Sequence, residues 1–196
     1  MAARNTEVEL TVVPRGSVRF PLAMPEPPGF DPQQPETWPH VPGRLEYVGG
    51  RLLFMPPCGQ PQQRVTADVA TELNLWRRSH PEFVCGTNEA GMLLGGETRG
   101  ADAAVFRASP ATPGYSRAAP VLAVEITGED EELDVLLTKA EWYLGHGVAI
   151  VWIIDPSSRR VTIISRDGRV EATDRIPESP LLPGLSPLVA DFFRQL

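Results

Sequence analysis

The fold is decided by residues 121–155, which read VLAVEITGEDEELDVLLTKAEWYLGHGVAIVWIID. The two apolar runs at its ends, residues 121–126 and 148–154, have the length and composition of strands that are buried on both faces. Between them, leucines and alanines recur on one side at helical spacing, and acidic residues stand first, where the helix dipole favours negative charge. The stretch therefore predicts a strand, a helix over residues 129–144 and a second strand.

Shorter strands and one more helix flank this segment. Gly49 and Gly50 separate two strand-like runs, which is a strong signal for a β-hairpin. A second helix is predicted over residues 61–79, because Pro61 suits a first helical turn and Pro81 follows the helix end. The predicted fold class is α/β, a mixed β-sheet flanked by two main helices. The predicted strands are residues 45–48, 51–55, 83–85, 91–94, 101–106, 121–126, 148–154, 161–165 and 170–173.

The N-terminal part differs in composition from the rest of the chain. Residues 8–12 alternate between apolar and polar, a pattern that predicts a short edge strand. Residues 21–42 contain eight prolines, which remove backbone donors and disfavour helix, so we expect a loop or an extended arm over the domain. We therefore divide the chain into residues 1–43, with a strand and a proline-rich arm, and a domain over residues 44–196.

Composition limits the classes of protein that remain. The net charge of −7 argues against a broad basic surface for nucleic acid, because phosphate binding uses clustered cations. No apolar run approaches the roughly 18 to 20 residues that cross a bilayer, and the first residues lack the pattern of a secretory signal. Two cysteines, Cys58 and Cys85, fit a reducing compartment, so we expect a cytoplasmic protein without a membrane partner.

Three charged residues are candidates for chemistry. Asp102 and Glu125 interrupt predicted central strands, where a charge is costly unless it is paired, hydrogen-bonded or bound to a metal. Together they could supply the hard oxygen ligands that Mg²⁺ prefers. Lys139 is the only lysine among 18 basic residues, and it could orient or help deprotonate a water, or balance the charge of a phosphate. The alternatives are a turn or edge position for Asp102 and a surface helix cation for Lys139.

Seven segments, in this order and spacing, resemble those of one known family: residues 45–52, 55–65, 101–102, 124–127, 139–148, 151–156 and 179–185. The hairpin reads LEYVGGRL where the family has YELIDGEL, and Lys139 precedes a tyrosine by four residues, as in the family. From about Leu45 to Phe193 the chain resembles the Uma-two family of bacterial restriction endonucleases, which belongs to the PD-(D/E)XK nuclease superfamily.

The resemblance implies a restriction-endonuclease-like fold and a Mg²⁺-dependent endonuclease that hydrolyses the phosphodiester bonds of DNA. Mn²⁺ is expected to substitute for Mg²⁺. The resemblance also implies that Asp102 and Glu125 are the metal ligands and that Lys139 is the catalytic lysine. We expect the protein to be a homo-oligomer, a homodimer.

The chain departs from the family at positions around this trio. Arg51 and Val135 stand where the family has acidic residues, and Gln62 stands where it has a histidine. Arg51 could instead contact phosphate, since its planar fork suits that role. Two other functions therefore stay open: a catalytically silent protein of the same fold that acts as a binding or assembly module, and an unrelated metal-dependent hydrolase of small phosphoesters.

Overall fold

The structure, a computed structural model, describes residues 20–128 and 133–196. The predicted strand of residues 8–12 and the first residues of the helix predicted from residue 129 lie outside these ranges. The helices are α1 (Gln60–Arg77) and α2 (Leu133–Gly145), with short 3₁₀ helices at Pro35–Thr37 and Val189–Phe193. None of these helices is long and apolar enough to cross a membrane. The strands are β1 (Leu22–Met24), β2 (Arg44–Val48), β3 (Arg51–Met55), β4 (Phe83–Leu94), β5 (Glu97–Arg107), β6 (Leu122–Ile126), β7 (Ile150–Asp155), β8 (Arg160–Ser165) and β9 (Gly168–Ala172).

Within these ranges, nine strands form one mixed sheet. The strands follow the order β1-β3-β2-β5-β6-β7-β8-β9, and β4 pairs with β5 outside this path. Paired strands run antiparallel except β6 and β7, which are parallel and are connected through α2. A helical crossover is the usual connection between parallel neighbours. The predicted mixed sheet with two main helices is confirmed.

The two helices cover different faces of the sheet. Because successive side chains of a strand point to opposite faces, Val124 of β6 packs with α1 and Ala123 packs with α2. Glu125, the next residue after Val124, is thereby directed toward α2. Burying each large apolar side chain contributes about 1.5–3 kcal/mol, so these contacts fix both helices on the sheet. The buried apolar helix residues are Val65, Val69 and Leu73 in α1, and Leu136, Ala140 and Tyr143 in α2.

The strands predicted at residues 83–85 and 91–94 are one strand, β4. A bulge interrupts its pairing with β5, so that Asn88 and Glu89 both lie opposite Asp102. These two residues have positive φ angles of 57° and 61°, a conformation that residues other than glycine rarely adopt. A bulge bends a strand and changes the direction of its side chains. The prediction of two separate strands was wrong because the chain bends here without leaving the sheet.

The proline-rich arm contains a strand that the sequence did not reveal. β1 pairs antiparallel with β3, with Leu22 opposite Phe54, where only a loop or an extended arm was expected. Further along, the ring of Phe30 lies 5.5 Å from the rings of Trp38 and of Tyr47 in β2. The arm is therefore packed against the β2–β3 hairpin.

Candidate active site

Lys139 lies where α2 faces the sheet. Its Nζ is 3.0 Å from Glu125 Oε2 and 3.2 Å from Glu46 Oε1. The ammonium also donates a hydrogen bond of 3.0 Å to the carbonyl oxygen of Gly100. Only 13% of the side chain is exposed, so the alternative of a surface helix cation is wrong. The single lysine of the chain is held by partners on β2, β5 and β6.

Glu125 is buried on β6, and both of its carboxylate oxygens have donors. Oε2 pairs with Lys139, and Oε1 accepts a hydrogen bond of 2.6 Å from the hydroxyl of Tyr143. Lys139 and Tyr143 are four residues apart on α2, and residues at that spacing share a helix face. The helix thus presents an ammonium and a hydroxyl to one carboxylate. The sequence held the signal for Tyr143 in this spacing, but it did not indicate which acid the tyrosine would meet.

Asp102 is buried on β5, and its side-chain partners come from α1 and β2. Its Oδ2 accepts a hydrogen bond of 2.8 Å from the backbone N–H of Ile126. The side-chain amide of Gln62 donates to both carboxylate oxygens, at 3.2 and 3.4 Å. Arg44 Nη1 lies 3.6 Å from Oδ1. The alternative of a turn or edge position for Asp102 is wrong, since the residue lies within a central strand.

Burial and neighbouring charges shift the pKa values of this cluster. Burial is the main cause that raises the pKa of Glu125 to about 8; the negative charge of Asp102 adds to the rise and Lys139 opposes it. Burial alone would lower the pKa of Lys139, but the carboxylates of Glu125 and Glu46 raise it above its ordinary value. Lys139 is therefore protonated at neutral pH. Burial also raises the pKa of Tyr143, which stays a neutral donor.

The structure brings Asp102, Glu125 and Lys139 into one cluster. β5 and β6 are antiparallel neighbours, and Ala103 pairs with Val124. Asp102 and Glu125 are the residues next to this pair on the two strands, so they lie side by side. Side chains of different helices contact the two carboxylates. The charge of Asp102 nevertheless raises the pKa values of both Glu125 and Lys139. Their roles as metal ligands, and that of Lys139 as the catalytic lysine, stay predictions.

Glu46 belongs to the same cluster, although sequence reasoning missed it. Its carboxylate lies 3.0 Å from Arg99 Nη1 and 3.2 Å from Lys139 Nζ, and it accepts a hydrogen bond of 3.2 Å from the N–H of Gly100. The available signal was a carboxylate within a strand, the same signal that singled out Glu125. Hairpin strands commonly carry solvated charges on one face, so that signal was weak here. Glu46 helps to hold Lys139 in its place.

Arg44 and Glu89 form a further ion pair at the border of the cluster. The guanidinium of Arg44 contacts Glu89 as well as Asp102, and 26% of the Arg44 side chain is exposed. The bulge in β4 is what places Glu89 opposite Asp102. Gly100 lies beside this pair, because a Cβ built on it would be 3.2 Å from both Cβ and Oε2 of Glu89. A Cβ at this position would require Glu89 to shift by a few tenths of an ångström.

The positions that depart from the family pattern have different settings. Arg51 is exposed at the start of β3, and 40% of Val135 is exposed on α2. Gln62, in contrast, is buried and contacts Asp102 directly. Of the three departures, only the one at Gln62 changes the buried cluster itself.

The residues present fit Mg²⁺ through hard oxygen donors. Both Asp102 oxygens and the carbonyl oxygen of Ile126 converge on the amide nitrogen of Gln62, at 3.1 to 3.4 Å. Glu125 keeps lone pairs beside its two hydrogen bonds, since a carboxylate offers about four acceptor sites. In the part of the chain that the structure describes, no three His, Cys, Asp or Glu side chains gather as a metal-binding group. This donor set suits Mg²⁺, which commonly takes one or two carboxylates and several waters.

Comparison with known proteins agrees with the fold and with the resemblance. The profile of the Uma2 family, described as "Putative restriction endonuclease", matches residues 32–191. A crystal structure of "a putative nuclease belonging to DUF820" from Anabaena variabilis is similar to this chain with a TM-score of 0.71. The two are 18% identical, and the likeness covers 84% of this chain and 97% of that one. No curated protein matches the chain. The structural likeness confirms the expected restriction-endonuclease-like fold.

Proposed function

Because the chain belongs to the Uma2 family of restriction endonucleases, we propose that it is a Mg²⁺-dependent endonuclease that hydrolyses the phosphodiester bonds of DNA. The observation that carries the proposal is the buried cluster in which Lys139 pairs with Glu125 at 3.0 Å beside Asp102 on the neighbouring strand. Three ionisable side chains are costly to bury in an apolar interior, and buried ionisable groups with shifted pKa values concentrate at functional sites.

Asp102 and Glu125 are the residues that would hold the metal ion. When bound, Mg²⁺ or Mn²⁺ would polarise a phosphoryl oxygen and lower the pKa of a bound water. The hydrogen bonds from the Ile126 N–H and the Tyr143 hydroxyl orient the two carboxylates before any ligand arrives. Each acid is thus fixed by a donor that cannot itself lose a proton at neutral pH.

Lys139 acts as a charged donor in this proposal. The carboxylates of Glu125 and Glu46 raise its pKa, so the ammonium is protonated in the protein without bound metal. It can hold that water by a hydrogen bond or compensate the negative charge that develops on the phosphate. Of the roles considered for this lysine, orientation and charge balance are therefore favoured over deprotonation.

Arg44 is the residue of the cluster best placed to meet the phosphate of the substrate. Its guanidinium touches Asp102 and is the more exposed of the cations there, with 26% of the side chain exposed against 13% for Lys139 and for Arg99. A planar guanidinium suits phosphate oxygens. Arg51, for which the sequence suggested this role, is exposed at the start of β3. We expect Arg44 to take it instead.

Cleavage of supercoiled plasmid DNA tests the proposal. We expect nicking or linearisation that requires Mg²⁺ or Mn²⁺, stops with EDTA, and falls by about a hundredfold or more in Asp102→Asn and in Lys139→Met. Glu171→Gln serves as the matched control, because Glu171 is an exposed carboxylate of β9 that pairs with Arg160. This control variant should cut at the rate of the unmodified protein. Cleavage without a metal, or unchanged cleavage by Asp102→Asn, would exclude the proposal.

A catalytically silent binding module is the second candidate function. The loss of acidic residues at Arg51 and Val135 and the net charge of −7 favour it. It predicts a folded protein that cuts no DNA with either metal. The hydrolase of small phosphoesters predicts turnover of bis(4-nitrophenyl) phosphate without cleavage of DNA.

A homodimer is part of our proposal, and sedimentation equilibrium would show twice the mass of one chain.

A further inference from the structure

Gln62 is a buried neutral residue that contacts Asp102 in the charged cluster. It lies in the first turn of α1 and is 8% exposed. Its side-chain nitrogen Nε2 is 3.2 and 3.4 Å from the two oxygens of Asp102, and 3.1 Å from the carbonyl oxygen of Ile126. Three oxygens from two neighbouring strands are thus directed at a single atom.

The amide satisfies these oxygens poorly. A carboxamide nitrogen carries two hydrogens, so it cannot give each of three acceptors a full hydrogen bond. The three distances, 3.1 to 3.4 Å, lie at or beyond the long end of ordinary N–H···O bonds. The amide also carries no net charge, and the Arg44 guanidinium beside Asp102 is shared with Glu89. A divalent cation would compensate both deficits, because carboxylate and carbonyl oxygens are its preferred donors.

We propose that the Gln62 carboxamide occupies the cation position of the metal-free protein and has to turn away before the ion can bind. This inference rests on the proposed function, since it concerns the metal of the same site. Gln62 is therefore a positioning residue that sets the affinity for the ion. It stabilises the site while no metal is bound, and it competes with the metal for the oxygens of Asp102 and Ile126.

The competition has a direct thermodynamic consequence. Any interaction made only in the metal-free state lowers the apparent metal affinity, because it must be broken on binding. Removing the amide should therefore tighten metal binding and weaken the metal-free fold at the same time. A residue that served only as packing would weaken the fold without tightening binding.

Titration with Mn²⁺, followed by calorimetry, tests this in Gln62→Ala and Gln62→Glu. We expect Gln62→Ala to bind Mn²⁺ about tenfold more tightly than the unmodified protein, in line with loss of one hydrogen bond to a charged group. Gln62→Glu should bind more tightly still, because it adds a third carboxylate. In EDTA both variants should melt at a lower temperature, and saturating Mn²⁺ should raise their melting temperatures by more than that of the unmodified protein.

Gln63→Ala is the matched control. Gln63 is the next residue of α1, is exposed, and donates its side-chain amide to the carbonyl of Cys58 at 2.9 Å. Its Mn²⁺ affinity should equal that of the unmodified protein.

The outcomes separate this inference from the proposed function. Unchanged or weaker Mn²⁺ binding by Gln62→Ala, while the unmodified protein binds, overturns the inference and leaves the endonuclease proposal standing. Binding by the Gln62 variants but not by the unmodified protein supports the inference and counts against activity of the natural chain. Absence of binding in all three proteins overturns both.

Discussion

Glu125 is the residue whose chemistry depends most on its surroundings. The sequence singled it out, because a carboxylate within the apolar run Val124–Ile126 is costly unless it is paired, hydrogen-bonded or bound to a metal. Two of its neighbours could not be predicted. The packing of α2 brings the Tyr143 hydroxyl to it, and the pairing of β2 with β5 brings Glu46, whose charge also raises its pKa. Burial, the first cause of its raised pKa, is likewise a property of the assembled sheet.

The pH dependence of stability follows from Glu125. Its pKa rises from an ordinary 4.5 to about 8 in the folded chain, so folding favours the protonated form. That contribution is complete below pH 4.5 and is lost as the pH rises through 8, at about 1.4 kcal/mol for each pKa unit. Lys139 and Tyr143 do not titrate in this window because both pKa values are raised. Urea unfolding in EDTA at pH 5 and pH 8 should show a larger loss of stability in the unmodified protein than in Glu125→Gln. Equal losses would mean that Glu125 is ionised throughout.

Lys139 is held by shape as well as by charge. Its compact ammonium contacts Glu125, Glu46 and the Gly100 carbonyl within 3.2 Å, a space that the planar fork of arginine does not match. We expect Lys139→Arg to lose cleavage activity by about tenfold or more even though the positive charge is kept. Initial rates of plasmid nicking measure this loss. Full activity in Lys139→Arg would show that only the charge matters.

At the scale of elements, periodicity predicted which segments are strands and helices, and it failed where backbone geometry decides. β4 was predicted as two strands because nothing in the residues Asn88 and Glu89 signals a bulge with positive φ. β1 was missed because prolines surround it, at Pro21 and Pro25, and three residues suffice for its pairing with β3. Yet the bulge is what sets Glu89 beside Arg44.

Gly100 connects β5 to this bulge. A Cβ on it would lie 3.2 Å from Glu89, so Gly100→Ala must displace Glu89 or the strand. We expect a loss of about 1–3 kcal/mol in the free energy of unfolding, together with reduced cleavage. Gly145→Ala, at the end of α2 where no atom lies within 4 Å, should leave both quantities nearly unchanged. Chemical denaturation of the two variants gives the comparison, and equal stabilities would show that Glu89 accommodates a Cβ at position 100 without cost.

At the scale of the molecule, the sequence predicted the class of fold but not the order of its strands. The mixed sheet and two helices followed from periodicity, and the resemblance supplied the restriction-endonuclease-like type. The neighbours β2 and β5, which bring Glu46 to Gly100 and Lys139, are far apart in the chain. Such pairings depend on the packing of the whole sheet, which local patterns do not encode.

The net charge of −7 bears on how the proposed endonuclease would bind DNA. We expect contacts confined to the site, with few phosphates neutralised. The slope of log K against log salt should then correspond to about one to three phosphates, at about 0.9 for each. Fluorescence anisotropy of a labelled duplex with Asp102→Asn, at salt concentrations from about 50 to 200 mM, measures this slope. A slope equivalent to about six or more phosphates would reveal a broad basic surface and contradict the expectation.

A crystal soaked in Mn²⁺ gives the most direct measurement of the central claim. The account predicts one strong anomalous peak in contact with carboxylate oxygens of both Asp102 and Glu125, with the amide of Gln62 turned away from it and Lys139 facing the bound water. A peak that touches neither carboxylate, or no peak in the cluster at saturating Mn²⁺, would contradict it.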